Sequence, residues 1–211
     1  MSRPKVVVYD YGSGNLRSAQ RALQRIGADV EVTGDQVAAI KADALVVPGV
    51  GSFDGCMAGL EEVGGRAVIG DRVDRQRPVL GICIGMQVLF EDSEEGDRLF
   101  KGLGVLPGTV RKLRDAPVLP HMGWNTVDSH GDSALLKGFT ADERFYFVHS
   151  YAACVGAPVY VDVAEVSGWS EHGTRFAAVV EAGHVAAVQF HPEKSGDAGA
   201  HRLENWLRTV R

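Results

Sequence analysis

The chain has 211 residues, 45% of them hydrophobic, and a formal net charge of −5 at pH 7. That length suits one domain, 1–211, with a sizeable core, and the mild acidity without any basic block points away from nucleic acid and anionic membranes. No segment is apolar enough for long enough to span a bilayer, the N-terminus lacks a signal peptide's apolar region, and three widely spaced cysteines suit a reducing cytoplasm better than a disulfide framework.

In chain order, the β-branched run 5–10 predicts a buried strand, and Asn15 could cap a helix reaching about residue 26. Residues 28–32 and 44–47 read as the next strands, the latter ended by Pro48-Gly49. Helices are predicted over 53–61 and 64–75. A short apolar strand, 77–82, then leads into a helix beginning at Ile84 and reaching Phe90. This alternation predicts an α/β fold with a mostly parallel central sheet flanked by helices. After about residue 104 the pattern becomes strand-rich and partly antiparallel, with strands over 105–113, 118–122, 124–128, 144–151, 159–166 and 175–180. A strand over 184–190 returns to the core, and a helix over about 198–210 closes the chain.

Cys83 stands between Gly81 and Gly85, at the junction of the 77–82 strand and its helix. A nucleophile there sits on a sharp, strained turn, and the flanking glycines leave the backbone room to make it. The helix N-terminus favours the thiolate, which is the reactive form. An isolated cysteine is more often a small core residue, and Cys56 and Cys154, with no motif around them, are read that way. Far downstream, His191 follows the 184–190 strand, where loops of a parallel sheet form sites. Pro192 fixes the local backbone, so Glu193 can fold back to the imidazole, hold its tautomer and leave the other nitrogen for the thiol proton. A zinc-deaminase reading of His-x-Glu needs a Pro-Cys-x-x-Cys that is absent, so no metal ligand is assigned.

The turn at 48–53 (Pro-Gly-Val-Gly-Ser-Phe) suits an oxyanion hole built from backbone N–H groups near Val50 and Gly51, or an ordinary strand-to-helix turn. It lacks the Gly-Lys of a phosphate loop. Residues 11–15 (Tyr-Gly-Ser-Gly-Asn) resemble a dinucleotide loop whose third glycine is replaced by Arg17, which argues against nucleotide binding. The aromatic stretches 120–125 (Pro-His-Met-Gly-Trp-Asn) and 146–151 (Tyr-Phe-Val-His-Ser-Tyr) fit strand packing, a partner surface or a substrate wall.

With these segments together, the chain resembles the class I (triad) glutamine amidotransferases over essentially its whole length. The Gly-x-Cys-x-Gly elbow and His-Pro-Glu are shared by the wider class. The stretches 11–15, 48–53, 120–125, 146–151 and 191–195 are more specific, and match the glutaminase subunits of imidazole glycerol phosphate synthase. Ile84 replaces the usual leucine. The resemblance implies a single-domain amidotransferase fold with Cys83 as nucleophile, His191 as base and Glu193 as its orienter. It implies an oxyanion site at Val50 and Gly51, in a turn that rearranges when the partner is active. Contacts to L-glutamine would come from Gly51, Gln87, Glu95, His149, Ser150 and Tyr151, with Glu95 suited to the α-ammonium. It further implies a heterodimer with a (β/α)8-barrel cyclase subunit, met at Asn15, Trp124 and Lys194, and no metal or organic cofactor. The length leaves no room for a synthetase domain, so the ammonia acceptor chemistry is expected on another chain. The rivals are another glutaminase of the same fold, such as a pyridoxal phosphate synthase glutaminase or a γ-glutamyl hydrolase, and a catalytically silent module.

Overall fold

The computed structural model describes residues 3–154 and 166–210. The first half alternates as β1 (Lys5–Tyr9), α1 (Leu16–Arg25), β2 (Asp29–Thr33), α2 (Gln36–Lys41), β3 (Ala44–Gly49), α3 (Phe53–Glu62), α4 (Gly65–Asp74), β4 (Val79–Cys83) and α5 (Ile84–Gln87). The second half is mostly strands: β5 (Phe90–Ser93), β6 (Phe100–Lys101), β7 (Leu106–Lys112), β8 (His121–Asn125), β9 (Asp128–Ser129), β10 (Phe145–His149), β11 (Tyr151–Ala153), β12 (Val166–His172), β13 (Thr174–Ala182) and β14 (Val185–Val188), followed by α6 (Gly196–Thr209).

The main sheet runs β2-β1-β3-β4-β14-β13-β12-β9, parallel from β2 to β14 and antiparallel beyond. Two smaller sheets, β10-β8 and β11-β7-β5-β6, are built from the second half. Strands β3, β4 and β14 are buried at every position, which is why they read as unbroken apolar runs. Their register sets the site. Gly49 pairs with Cys83 and Ile82 with Val188, so the turn after β3, the Cys83 elbow and the loop after β14 leave one sheet edge together.

Several local expectations change. The helix after Cys83 ends at Gln87 instead of Phe90. Phe90 is buried and opens β5, which pairs with β7. The two strands predicted over 118–122 and 124–128 are replaced by β8 and the short β9, because Pro120 has no N–H to join a ladder while Gly123 stays paired with Phe147. The run 144–151 divides at Ser150, since β10 pairs with β8 and β11 with β7. The strand expected over 159–166 lies, apart from Val166, outside the described residues. Helix α2 was not expected, although Asp35 caps it by accepting from the Ala38 N–H at 2.7 Å. Asn15 does precede α1, but its side chain makes no capping bond.

Arg72, on α4, is fully buried without a carboxylate partner among the described residues. Its guanidinium donates instead to the carbonyls of Ala39, Ile40, Ala42, Asp43 and Pro78. Burial lowers its pKa to about 10. No helix of the described residues is long and apolar enough to cross a membrane.

Candidate active site

Cys83 takes φ 56° and ψ −115°, a left-handed conformation that is unusual outside glycine. The neighbours make this possible by lacking Cβ atoms. A Cβ on Gly85 would lie 1.8 Å from the Val47 carbonyl oxygen, and one on Gly81 would lie 2.7 Å from that of Gly85. The elbow is therefore fixed by close approach of β3, β4 and α5, and its helix contributes only one turn of backbone dipoles.

His191 and Glu193 face each other with Nδ1 and Oε1 2.9 Å apart, both side chains only 2% exposed. The loop carrying them is tied to β10. The His191 N–H donates to Tyr146 O, the Tyr146 N–H donates to Ser195 Oγ, and that hydroxyl donates to His191 O. The remaining imidazole nitrogen, Nε2, is buried and interacts with the Cys83 sulfur without a closed hydrogen bond. Burial pulls the imidazole pKa down, but Cys83 and then Glu193 outweigh it and lift it to about 9. His191 is thus protonated at neutral pH.

These groups open into a cavity of about 300 Å³. Val50, Gly51, Gln87, Glu95, His149, Ser150 and Tyr151 all line it beside Cys83 and His191, and Ile84, Pro120 and Val148 complete the wall. Glu95 Oε2 accepts from the Phe53 N–H at 2.6 Å, which anchors the carboxylate at the cavity. The Val50 turn is held from outside. Ser13 Oγ accepts from the Val50 N–H at 3.1 Å and donates to its carbonyl at 2.8 Å. Tyr11 bonds to Pro48 O, and Cys56 Sγ lies within 3.4 Å of Val50 O. In this state the Val50 N–H is committed to Ser13. Val50 is also 41% exposed.

Two buried histidines support the opposite wall. Tyr151 O is an acceptor only, so His149 carries its proton on Nδ1, 2.9 Å away. His149 Nε2 then accepts from His121 Nδ1 at 3.1 Å, and His121 Nε2 accepts from the Asn125 amide at 3.3 Å. Burial, with a smaller effect from His172, lowers His121 to about 4. Burial likewise brings His149 to about 3, despite its bond to Tyr151. Both rings stay neutral across the working range.

On the surface, Trp124 (53% exposed) meets Tyr146 edge-on at 6.0 Å, and Lys194 Nζ lies 5.8 Å from the centre of the same tyrosine ring. Helix α1, which Asn15 precedes, packs beside the 192–194 turn.

The profile of the family Glutamine amidotransferase class-I matches residues 7–210. The chain belongs to the class-I glutamine amidotransferases. Among curated relatives of this amidotransferase, the imidazole glycerol phosphate synthase subunit HisH of Nocardia farcinica is 57% identical over 212 residues, covering 100% of both chains. The protein of that name from Thermobifida fusca is 54% identical over 211 residues, covering 99% of this chain and 100% of that one. A solved structure described as a glutamine amidotransferase superposes with a TM-score of 0.72 at 22% identity, over 97% of this chain and 99% of that one. PurLQS from Thermotoga maritima gives 0.70 at 19%, over 100% of each. At these identities the two structures share the amidotransferase fold.

Sequence reasoning left several of the amidotransferase's site groups without a role. Ser13 lies in the 11–15 stretch and Gln189 in the 184–190 strand, but only the fold brings them to Val50 and Cys83. Cys56 joins the Val50 clasp, in keeping with a structural reading. Burial pushes Cys154 up to about 12, which suits an inert thiol.

Proposed function

We propose that this chain hydrolyses L-glutamine to L-glutamate and ammonia through a cysteine thioester. In that reading it works as the glutaminase subunit of an imidazole glycerol phosphate synthase in histidine biosynthesis. The observation that carries the chemistry is the buried His191, held by Glu193 on one side and facing Cys83 on the other.

The steps follow from the proton inventory. Cys83 attacks the side-chain amide carbon, and the charge that develops on oxygen is taken by the N–H groups of Val50 and Gly51. His191 gives its proton to the departing ammonia, leaving a γ-glutamyl thioester. Neutral His191 then takes a proton from water, which attacks the thioester and releases glutamate. Glu193 keeps the imidazole aimed throughout. Glu95 holds the substrate's α-ammonium, and Gln87 with the 149–151 strand holds the rest of the amino acid. Because the Val50 N–H is bonded to Ser13, the oxyanion donor must turn before the reaction runs quickly, so the free chain is slow.

Residues 1–211 act as one domain, and the ammonia passes to a (β/α)8-barrel cyclase subunit in a heterodimer. That partner makes imidazole glycerol phosphate and an aminoimidazole carboxamide ribonucleotide. Identity above half with proteins named as subunits of that synthase supports this assignment. The apolar, cation-capped patch of Trp124, Tyr146 and Lys194, with α1 behind Asn15, is the surface offered to the cyclase. Three free cysteines accord with the cytoplasm.

The test is ammonia release from glutamine by the chain alone, then with a cyclase subunit and its nucleotide ligand. Strong stimulation that disappears in Cys83→Ala is expected. Full activity without the partner would indicate a free-standing hydrolase, and no activity in either setting would indicate a silent module.

A further inference from the structure

Gln189 directly follows β14 and is fully buried. Its amide has two neighbours: Oε1 is 3.0 Å from Gln87 Nε2, and Nε2 is 3.8 Å from Cys83 Sγ. A glutamine amide can be turned either way, so its neighbours must decide which atom meets the sulfur. The Tyr151 carbonyl decides it. That oxygen only accepts, and it lies 2.7 Å from the Gln87 amide, so Gln87 must present its NH₂ group there. The second proton of the same NH₂ points at Gln189, which must answer with its carbonyl oxygen. The NH₂ of Gln189 is then left to face Cys83.

Besides His191, which faces it, the sulfur has a further polar neighbour in Val148 O, at 3.9 Å. A thiol can donate to that carbonyl, whereas a thiolate is repelled by it. Beside His191, which faces both forms, the two protonation states of Cys83 therefore have different partners: Val148 O for the thiol and the Gln189 amide for the thiolate. A hydrogen bond of this length is weak to a neutral thiol and strengthens when the acceptor is charged and dry.

We propose that Gln189 is a further catalytic residue, whose side-chain N–H holds the Cys83 thiolate and is locked in that orientation by Gln87 and the Tyr151 carbonyl. The inference rests on Cys83 being the nucleophile. The same donor serves twice. It stabilises the sulfur before attack and again when the thioester is hydrolysed and the thiolate leaves.

The experiment is the rate of Cys83 alkylation by iodoacetamide against pH, read on the Cys83 peptide by mass spectrometry, with the Cys56 and Cys154 peptides as internal controls. Gln189→Met removes the donor at similar volume. Gln189→Glu keeps the shape but offers the sulfur an acceptor. Gln87→Leu frees the Gln189 amide to turn. The alkylation midpoint is expected to rise by about half a pH unit or more in Gln189→Met, and further in Gln189→Glu. In the complex with the cyclase, kcat of the two Gln189 variants should fall about tenfold or more while KM stays within about twofold. Should Gln189→Met fail to fold by thermal melting, Gln189→Glu and Gln87→Leu carry the test. An unmoved midpoint in the folded variants, even with a lower kcat, would make Gln189 a packing residue and overturn the proposal. Ammonia release that survives Cys83→Ala would instead remove the nucleophile assignment beneath it.

Discussion

The Cys83 elbow and the Val50 turn sit side by side at one sheet edge, yet they are held by opposite means. The elbow is buried and fixed by steric contact, with glycine Cα atoms pressed onto neighbouring carbonyls. The turn is half exposed and fixed by a few side-chain hydrogen bonds from Ser13, Tyr11 and Cys56. Steric contact between close-packed backbones has no second arrangement nearby, whereas a hydrogen-bonded clasp can be exchanged for another at a cost of about 1 kcal/mol per bond. The nucleophile is therefore constant, and any control over rate belongs to the turn.

Four substitutions would break or sharpen this contrast. Gly85→Ala should do most, because the Val47 carbonyl blocks its Cβ. We expect a loss of about 3 kcal/mol or more in chemical denaturation, with no glutaminase activity in whatever folds. Glu193→Gln should leave the elbow intact and reduce kcat by about 10²–10⁴-fold. It should also bring the alkaline loss of activity, expected near pH 9 in the parent, to lower pH, since one of the two groups raising His191 is gone. An unchanged alkaline limb would count against His191 as the proton donor. Ser13→Ala should act on the turn alone. Its stability cost is about 1 kcal/mol, while ammonia release without the cyclase should rise several-fold as the Val50 N–H is freed. A fall in partner-free release would show that Ser13 supports the active turn instead.

The smallest effect concerns the neutral histidines. His121 and His149 have folded pKa values of about 4 and about 3, below the ordinary value of 6.5. The unfolded chain therefore binds more protons below pH 6.5, so their contribution to stability is complete above that pH and is lost as pH falls towards 4. His121→Phe should flatten this acid limb in melting experiments while keeping the stack on Phe147.

The parallel half of the fold was legible because its inner strands are buried on both faces and its turns carry Gly and Pro. The second half was less so. Trp169 is buried, but β12 (Val-Ser-Gly-Trp-Ser-Glu-His) mixes small and polar residues without a period and reads as a loop until β13 pairs with it. Short strands such as β6 and β9 have too few residues for any period to show. At the site, Cys83, His191 and Glu193 stood out because their local motifs explain why they are placed as they are. The Ser13 clasp and the Gln189 amide did not, since each depends on contacts between residues distant in the chain. Hydrogen-bond polarity of that kind exists only after folding.

Arg72 has a consequence for how the molecule comes apart. One guanidinium collects carbonyls from the end of α2, the start of β3 and the approach to β4. None of these segments can detach without stranding a charge in a dry interior, so each guards the others against local opening. The amides of these three segments should therefore exchange with solvent as one cooperative unit. An ammonium at this position, as in Arg72→Lys, has too few donors to hold all five acceptors, and would let the unit divide into independently opening pieces.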